Sequence, residues 1–93
     1  MMQYTDKQFK HFRDIACIIQ EESLSQIQKW GVQTHTLFEW LAYTTEELGE
    51  LAQAIAENEY RGGAREGIVS EAIQVATLAL KIAEMADAKE NNT

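Results

Sequence analysis

The feature that most restricts the fold of this chain is the absence of proline from all 93 residues. Proline breaks helices, so a chain without it can run as long helices that end only where other residues stop them. Glycines at position 31 and at positions 62–63 separate three segments in which apolar residues recur every three or four positions. This spacing is typical of one face of a helix. The sequence therefore predicts an all-α fold with three main helices.

Short polar motifs predict where these helices begin. The sequence TDKQ at 5–8 is a capping box that opens the first helix, and TLFE at 36–39 is one that opens the second. SLSQ at 23–26 has the same form, which leaves open whether the first helix continues or breaks near Ser23. The turn NEYRGGAR at 58–65 is short, so the second and third helices are expected to be antiparallel neighbours. The polar tail AKENNT at 88–93 is expected to fray.

Each helix carries an apolar seam. The expected seams are Phe9, Phe12, Ala16 and Ile19 in the first helix, Leu37, Leu41, Thr44, Leu48, Leu51 and Ile55 in the second, and Ile68, Ala72, Val75, Ala79, Ile82 and Ala86 in the third. A chain of this length forms one domain, 1–93, and cannot cover this much apolar surface by itself. We expect an antiparallel helical bundle of three main helices that is completed by homo-oligomerisation, as a homodimer or a dimer of dimers.

Composition excludes several classes of partner and location. The net charge of −7 argues against binding to nucleic acid or to an anionic membrane surface. No apolar run reaches about 18 residues, and the first residues do not resemble a signal peptide. Cys17 is the only cysteine, so no internal disulfide forms, and the expected location is the reducing cytoplasm. We expect its thiol to be buried and structural.

An acidic stripe on the second helix is the main candidate site. Glu47 and Glu50 lie three positions apart, which places them about 60° apart around the helix and about 4.5 Å apart along it. Glu71 and Gln74 repeat this spacing on the third helix, so the two pairs can face each other across antiparallel helices. Carboxylate and amide oxygens gathered in this way suit Mg²⁺, with Mn²⁺ as the alternative. The competing interpretation is a solvated acidic face.

Three stretches resemble a known family. EELGE at 46–50, EAIQ at 71–74 and QKWGVQTH at 28–35 together resemble the MazG-like all-α nucleoside triphosphate pyrophosphohydrolases. The signature of that family is EExxE on one helix and ExxD on the next, so Gln74 stands where the family usually has aspartate. The resemblance covers roughly residues 20–83.

The resemblance implies a fold, a reaction and a set of residues. Members of the family are helical bundles, assembled as dimers or tetramers, that cleave a nucleoside triphosphate between its α- and β-phosphates. By matching position, Glu46, Glu47, Glu50 and Glu71 are the expected catalytic residues. Glu47, Glu50 and Glu71 are the expected metal ligands, with Gln74 at the fourth place. Because a triphosphate is strongly anionic, an acidic site binds it only through cations.

Other polar and aromatic residues are candidates for substrate binding. These are Trp30, Lys29, His35 and Lys81, with Trp40 and Tyr43 as further aromatic candidates for stacking a nucleobase. A di-iron carboxylate bundle is excluded because neither His11 nor His35 follows a glutamate by three positions. The alternative to an enzyme is a non-enzymatic helical module, for oligomerisation or partner binding, that keeps a decayed metal site.

Overall fold

The architecture is a set of three long helices joined by short connections. The structure, a computed structural model, describes the backbone of residues 3–91 and the side chains of residues 3–88. Within this range the helices are α1 (Asp6–Trp30), α2 (Leu37–Arg61) and α3 (Arg65–Asn91), and there is no strand. The all-α prediction is confirmed. The backbone of the tail is helical as far as Asn91, and residues 92–93 lie outside the described range.

Side-chain caps fix the beginnings of α1 and α2. The Thr5 hydroxyl accepts a hydrogen bond from the Gln8 backbone N–H at 3.1 Å, and the Gln8 side chain accepts one from the Thr5 N–H at 2.8 Å. Thr36 and Glu39 form the same pair of bonds at 3.1 and 2.9 Å. These bonds satisfy N–H groups that a helix leaves unpaired at its start. The third sequence of this form does not act as a cap, because α1 runs through Ser23 without interruption.

The turn between α2 and α3 depends on glycine. Gly62 has a φ of 68°, in the left-handed region that glycine adopts without steric cost. The Gly63 N–H then donates to the Glu57 carbonyl at 2.9 Å, and the Asn58 side chain donates to the Gly63 carbonyl at 2.7 Å. The chain reverses within three residues, so α2 and α3 pack as antiparallel neighbours.

Helix α3 is the centre of the bundle. It packs against both α1 and α2, whereas α1 and α2 make no close backbone contact with each other. Thr77 of α3 is fully buried, and its hydroxyl donates to the Ile73 carbonyl at 2.7 Å. The face of α1 that is buried or half-buried consists of Ile19, Glu22, Ser23, Gln26 and Ile27.

The face that α2 turns towards α3 differs from the expected seam. The buried or half-buried residues of α2 include Trp40, Thr44, Glu47, Leu51 and Ala54. Half of the predicted seam, Leu37, Thr44 and Leu51, is half-buried as expected. The other half, Leu41, Leu48 and Ile55, is exposed. The difference arises because α2 has two adjacent apolar stripes, and α3 covers only the one that contains Trp40.

The first half of α1 extends beyond its partner helix. Residues 6–17, which we call the α1 arm, are all exposed. Cys17 belongs to the arm and is exposed, because α3 does not reach this part of α1. The expectation of a buried thiol was therefore wrong.

The described residues include no helix with the length and apolarity needed to cross a bilayer.

Candidate functional site

Three of the predicted site residues meet where α2 faces α3. Glu47, Glu50 and Glu71 each offer a carboxylate oxygen, and these oxygens lie within 4.8 Å of one another. The i, i+3 spacing on α2 and the antiparallel packing of α3 bring them together. Glu47 and Glu71 are half-buried and Glu50 is exposed. Glu46, the fourth expected catalytic residue, is exposed and lies outside this cluster, which we call the glutamate cluster.

The surroundings of Glu47 in the glutamate cluster raise its pKa. Burial, a side-chain hydrogen bond with Glu71 and the charge of Glu50 raise the pKa of Glu47 to about 7. All three effects act in the same direction, because each of them disfavours a further negative charge at this position. Without a cation, the cluster therefore holds a proton on Glu47 at a pH where an exposed glutamate is ionised.

The Glu71 carboxylate provides a second observation at the glutamate cluster. Its Oε2 atom is buried and, among the described residues, has no hydrogen-bond partner. An unpaired buried carboxylate oxygen is costly, since it has lost water without gaining a donor. A divalent cation bound by the glutamate cluster would satisfy this oxygen and neutralise the neighbouring charges. The donor set, which consists only of carboxylate oxygens, fits Mg²⁺ or Mn²⁺.

Gln74 lies on the side of α3 that faces α1. Its amide nitrogen donates to Glu22 at 3.0 Å, and its amide oxygen accepts a hydrogen bond from Gln26 at 3.4 Å. Gln26 also donates to Glu22 at 3.0 Å, so one carboxylate receives two amide donors. These bonds, first that from Gln74 and then that from Gln26, hold the pKa of Glu22 below its usual range. The metal-ligand role of Gln74 stays a prediction, and in this structure its amide serves the contact between α1 and α3.

Sequence reasoning missed Glu22 and Gln26 as partners of Gln74. A signal was available, because both residues interrupt the apolar side of α1 four positions apart, at the level of Ile19 and Ile27. Polar side chains on a helix face that packs against another helix need partners. The identity of the partner depends on the register of α1 against α3, which the local sequence does not encode.

A cavity lies where the end of α1, the 31–36 loop, the start of α2 and the end of α3 meet. It has a volume of about 460 Å³, and its walls include Trp30, His35, Trp40, Lys81 and Met85. Three of the four predicted substrate-binding residues, Trp30, His35 and Lys81, are therefore brought to one place. The fourth, Lys29, is absent from the walls, and its ammonium lies 5.3 Å from the centroid of the Trp30 ring.

Aromatic rings organise one wall of this cavity. The His35 ring packs edge-on against Trp40 at 4.8 Å and against Tyr43 at 5.2 Å between ring centroids. Such edge-to-face contacts stabilise the arrangement beyond the area they bury. They also attach the loop to the first turns of α2, so that His35 has a defined position. Lys81 reaches across from α3 and donates a hydrogen bond to the buried Ser23 hydroxyl of α1.

The cavity and the glutamate cluster share one face of α2. Trp40 and Glu47 both belong to the stripe that faces α3, and they are seven residues apart. At 1.5 Å per residue this is about 10 Å along the helix axis.

No known protein family, curated protein or solved structure matches this chain.

Proposed function

We propose that this protein is a Mg²⁺-dependent nucleoside triphosphate pyrophosphohydrolase of the MazG-like type. It would cleave between the α- and β-phosphates and release a nucleoside monophosphate and pyrophosphate. The observation that carries the proposal is the convergence of Glu47, Glu50 and Glu71 within 4.8 Å across two helices. A role in nucleotide-pool cleaning would follow from this reaction.

The metal would be held by the glutamate cluster. Among the described residues the buried Glu71 Oε2 has no hydrogen-bond partner, and the pKa of Glu47 is raised. Both observations support a site that is completed by positive charge. When bound, the metal supplies charge neutralisation for the phosphoryl oxygens and lowers the pKa of a bound water. Glu47, Glu50 and Glu71 would orient the metal. Glu46, which is exposed and adjacent to Glu47 in the sequence, would serve to hold or move a proton.

The cavity would receive the nucleoside part of the substrate. Trp30 and Trp40 offer aromatic faces and edges for a base, and His35 and Lys81 offer polar groups beside them. A separation of about 10 Å along α2 between Trp40 and Glu47 is comparable with the distance from a base to its phosphates. Lys29, beside Trp30, is the proposed cation for a phosphate or a base edge.

The test is a panel of ribo- and deoxynucleoside triphosphates with Mg²⁺ or Mn²⁺, with products separated by chromatography. We expect monophosphate and pyrophosphate in equal amounts. Glu50→Gln and Glu71→Gln should each lower kcat/KM by more than about 100-fold, the upper end of the loss seen when only a residue supporting a ligand is changed. Glu59→Gln, at an exposed position of the same helix, is the matched control and should retain activity. Release of diphosphate and inorganic phosphate would contradict the assignment.

A second candidate is a non-enzymatic helical module that keeps a decayed metal site. The observation in its favour is that the Gln74 amide is occupied by Glu22 and Gln26. Of the four positions that the resemblance gives as metal ligands, three hold carboxylates, Glu47, Glu50 and Glu71. Absence of turnover with every nucleotide in both metals, from a protein whose helicity is intact by circular dichroism, would select this candidate.

A further inference from the structure

The outer side of α2 has a long face without charge. Nine residues cover it from one end to the other: Phe38, Leu41, Ala42, Thr45, Leu48, Gly49, Ala52, Ile55 and Ala56. All nine are exposed, and the four largest are 84%, 52%, 53% and 43% exposed in the order Phe38, Leu41, Leu48, Ile55. The face extends over about five turns, or roughly 27 Å. We call it the uncharged face.

The chain as a whole exposes more surface than a typical folded monomer of the same mass. Its accessible surface is 7552 Å² for a mass of 10.6 kDa. A folded monomer of this mass typically exposes about 5,500 Å², so the excess is roughly 2,000 Å². An obligate dimer buries roughly 1,000–2,500 Å² on each partner. The excess is therefore of the size that a stable dimer removes from water.

The uncharged face has the side-chain pattern of a helix-packing surface. Leu41, Leu48 and Ile55 recur every seven residues, and small residues flank them at 42, 45, 49, 52 and 56 in alternating steps of three and four. Large side chains beside small ones let two helices approach closely and interlock. Such a pattern suits a helical surface better than a lipid surface, since no basic side chain borders the face to meet anionic headgroups between Leu37 and Tyr60.

Charge favours a second copy of this chain as the occupant. The α1 arm carries Lys7, Lys10 and Arg13 against Asp6 and Asp14, a balance of +1, whereas residues 18–93 carry five basic and thirteen acidic side chains, a balance of −8. One border of the uncharged face is acidic, with Glu39, Glu46, Glu50 and Glu57. The arm is exposed and also apolar, through Phe9, Phe12 and Ile15. A second copy thus supplies both an apolar surface and a positive one.

We propose that the uncharged face of α2 is a self-association surface, buried in a two-fold dimer whose partner presents its own α2 face and α1 arm. The proposal does not depend on the proposed enzymatic activity. In such an arrangement each copy covers the same patch on the other, so the assembly closes at two chains. The acidic border then meets the positive arm, and the apolar stripe that α3 leaves open is covered.

Thiol protection tests this surface directly. In a Cys17→Ser background, Thr45→Cys places one thiol in the centre of the uncharged face, and Val69→Cys places one at an exposed position of α3, away from that face and from its acidic border. We expect Thr45→Cys to react with a maleimide at least tenfold more slowly at high than at low protein concentration. Val69→Cys should react at the same rate throughout. Equal behaviour of the two thiols would overturn the proposal.

Molar mass in solution gives a second measurement. Light scattering after gel filtration should show a dimer for the wild-type chain and a monomer for Leu48→Glu. Val69→Glu is the matched control, since Val69 is 52% exposed on α3 and lies outside the face, and it should remain dimeric. A wild-type monomer at micromolar concentration, or a dimeric Leu48→Glu, would overturn the proposal. If Leu48→Glu does not fold, the thiol experiment decides.

Discussion

At Glu47, burial and neighbouring negative charge both raise the pKa of the carboxyl group. In the unfolded chain this group loses its proton near the ordinary value of 4.5, whereas in the folded chain its pKa is about 7. Between these two values the folded state binds one more proton than the unfolded state. The free energy of unfolding therefore falls as pH rises through this window, and the penalty is absent below it.

The pH dependence of stability tests this property of Glu47. In the presence of a chelator, Glu47→Gln should melt at a higher temperature than wild type near pH 7, because it removes the group that must take up a proton. The difference should shrink as pH falls towards 4.5. Differential scanning calorimetry across this range measures it, with Glu59→Gln as the control. A difference that does not change with pH would show that Glu47 holds no extra proton.

At the scale of elements, the contact between α1 and α3 contains a group of three half-buried polar side chains, Glu22, Gln26 and Gln74. Glu22 on α1 receives amide donors from Gln74 on α3 and from Gln26 on its own helix. A buried polar group contributes most when every partner is present, and leaving one unpaired costs about 1–3 kcal/mol. The group is specific to the observed register of α1 on α3, because a shift along the helix would separate Glu22 from Gln74.

Exchanging donor and acceptor tests this contact. Gln74→Glu keeps the shape but replaces the donor with a second carboxylate facing Glu22, so we expect the free energy of unfolding to fall by about 1–3 kcal/mol. Adding Glu22→Gln restores one amide and one carboxylate and should recover most of the loss. Urea denaturation of the two single variants, the double variant and wild type gives the coupling energy. A double variant no more stable than Gln74→Glu would mean that the pair contributes nothing.

At the scale of the whole molecule, the single chain is extended for its length. Its radius of gyration is 15.6 Å, compared with about 12 Å expected for a compact domain of 93 residues. Trp40 is the only apolar residue among the described side chains that counts as buried. Because so small a core gives a single chain little stability of its own, we propose that association contributes much of it.

Stability should therefore depend on protein concentration. If folding and self-association are coupled, mass action raises the melting temperature as concentration rises. Circular dichroism at the lowest practical concentration and calorimetry at the highest should show a difference of several degrees for wild type. Leu48→Glu should melt at a lower temperature that does not vary with concentration. A wild-type melting temperature that is constant across this range would contradict the coupling.

The local sequence determined the helices of this protein. Thr5 and Thr36 begin helices because their hydroxyls satisfy backbone N–H groups within three residues, and Gly62 ends one because it adopts a positive φ without steric cost. The prediction that Glu47, Glu50 and Glu71 lie close together was also right, since helical spacing places Glu47 beside Glu50 and the short turn makes α3 the neighbour of α2. These features depend on contacts between residues that are close in sequence or separated by one turn.

Tertiary structure decided which helix faces are used. Nothing local distinguishes the Trp40 stripe of α2 from the Leu41 stripe beside it, and the choice is made by α3, which covers the first and leaves the second exposed. The same holds for Gln74, whose amide is held by Glu22 of α1, and for Ser23, whose capping sequence is overruled by a continuous helix packed against Lys81. Each of these outcomes depends on how helices that are distant in sequence pack against one another. The partners of these side chains lie on another helix, so the local sequence alone does not specify them.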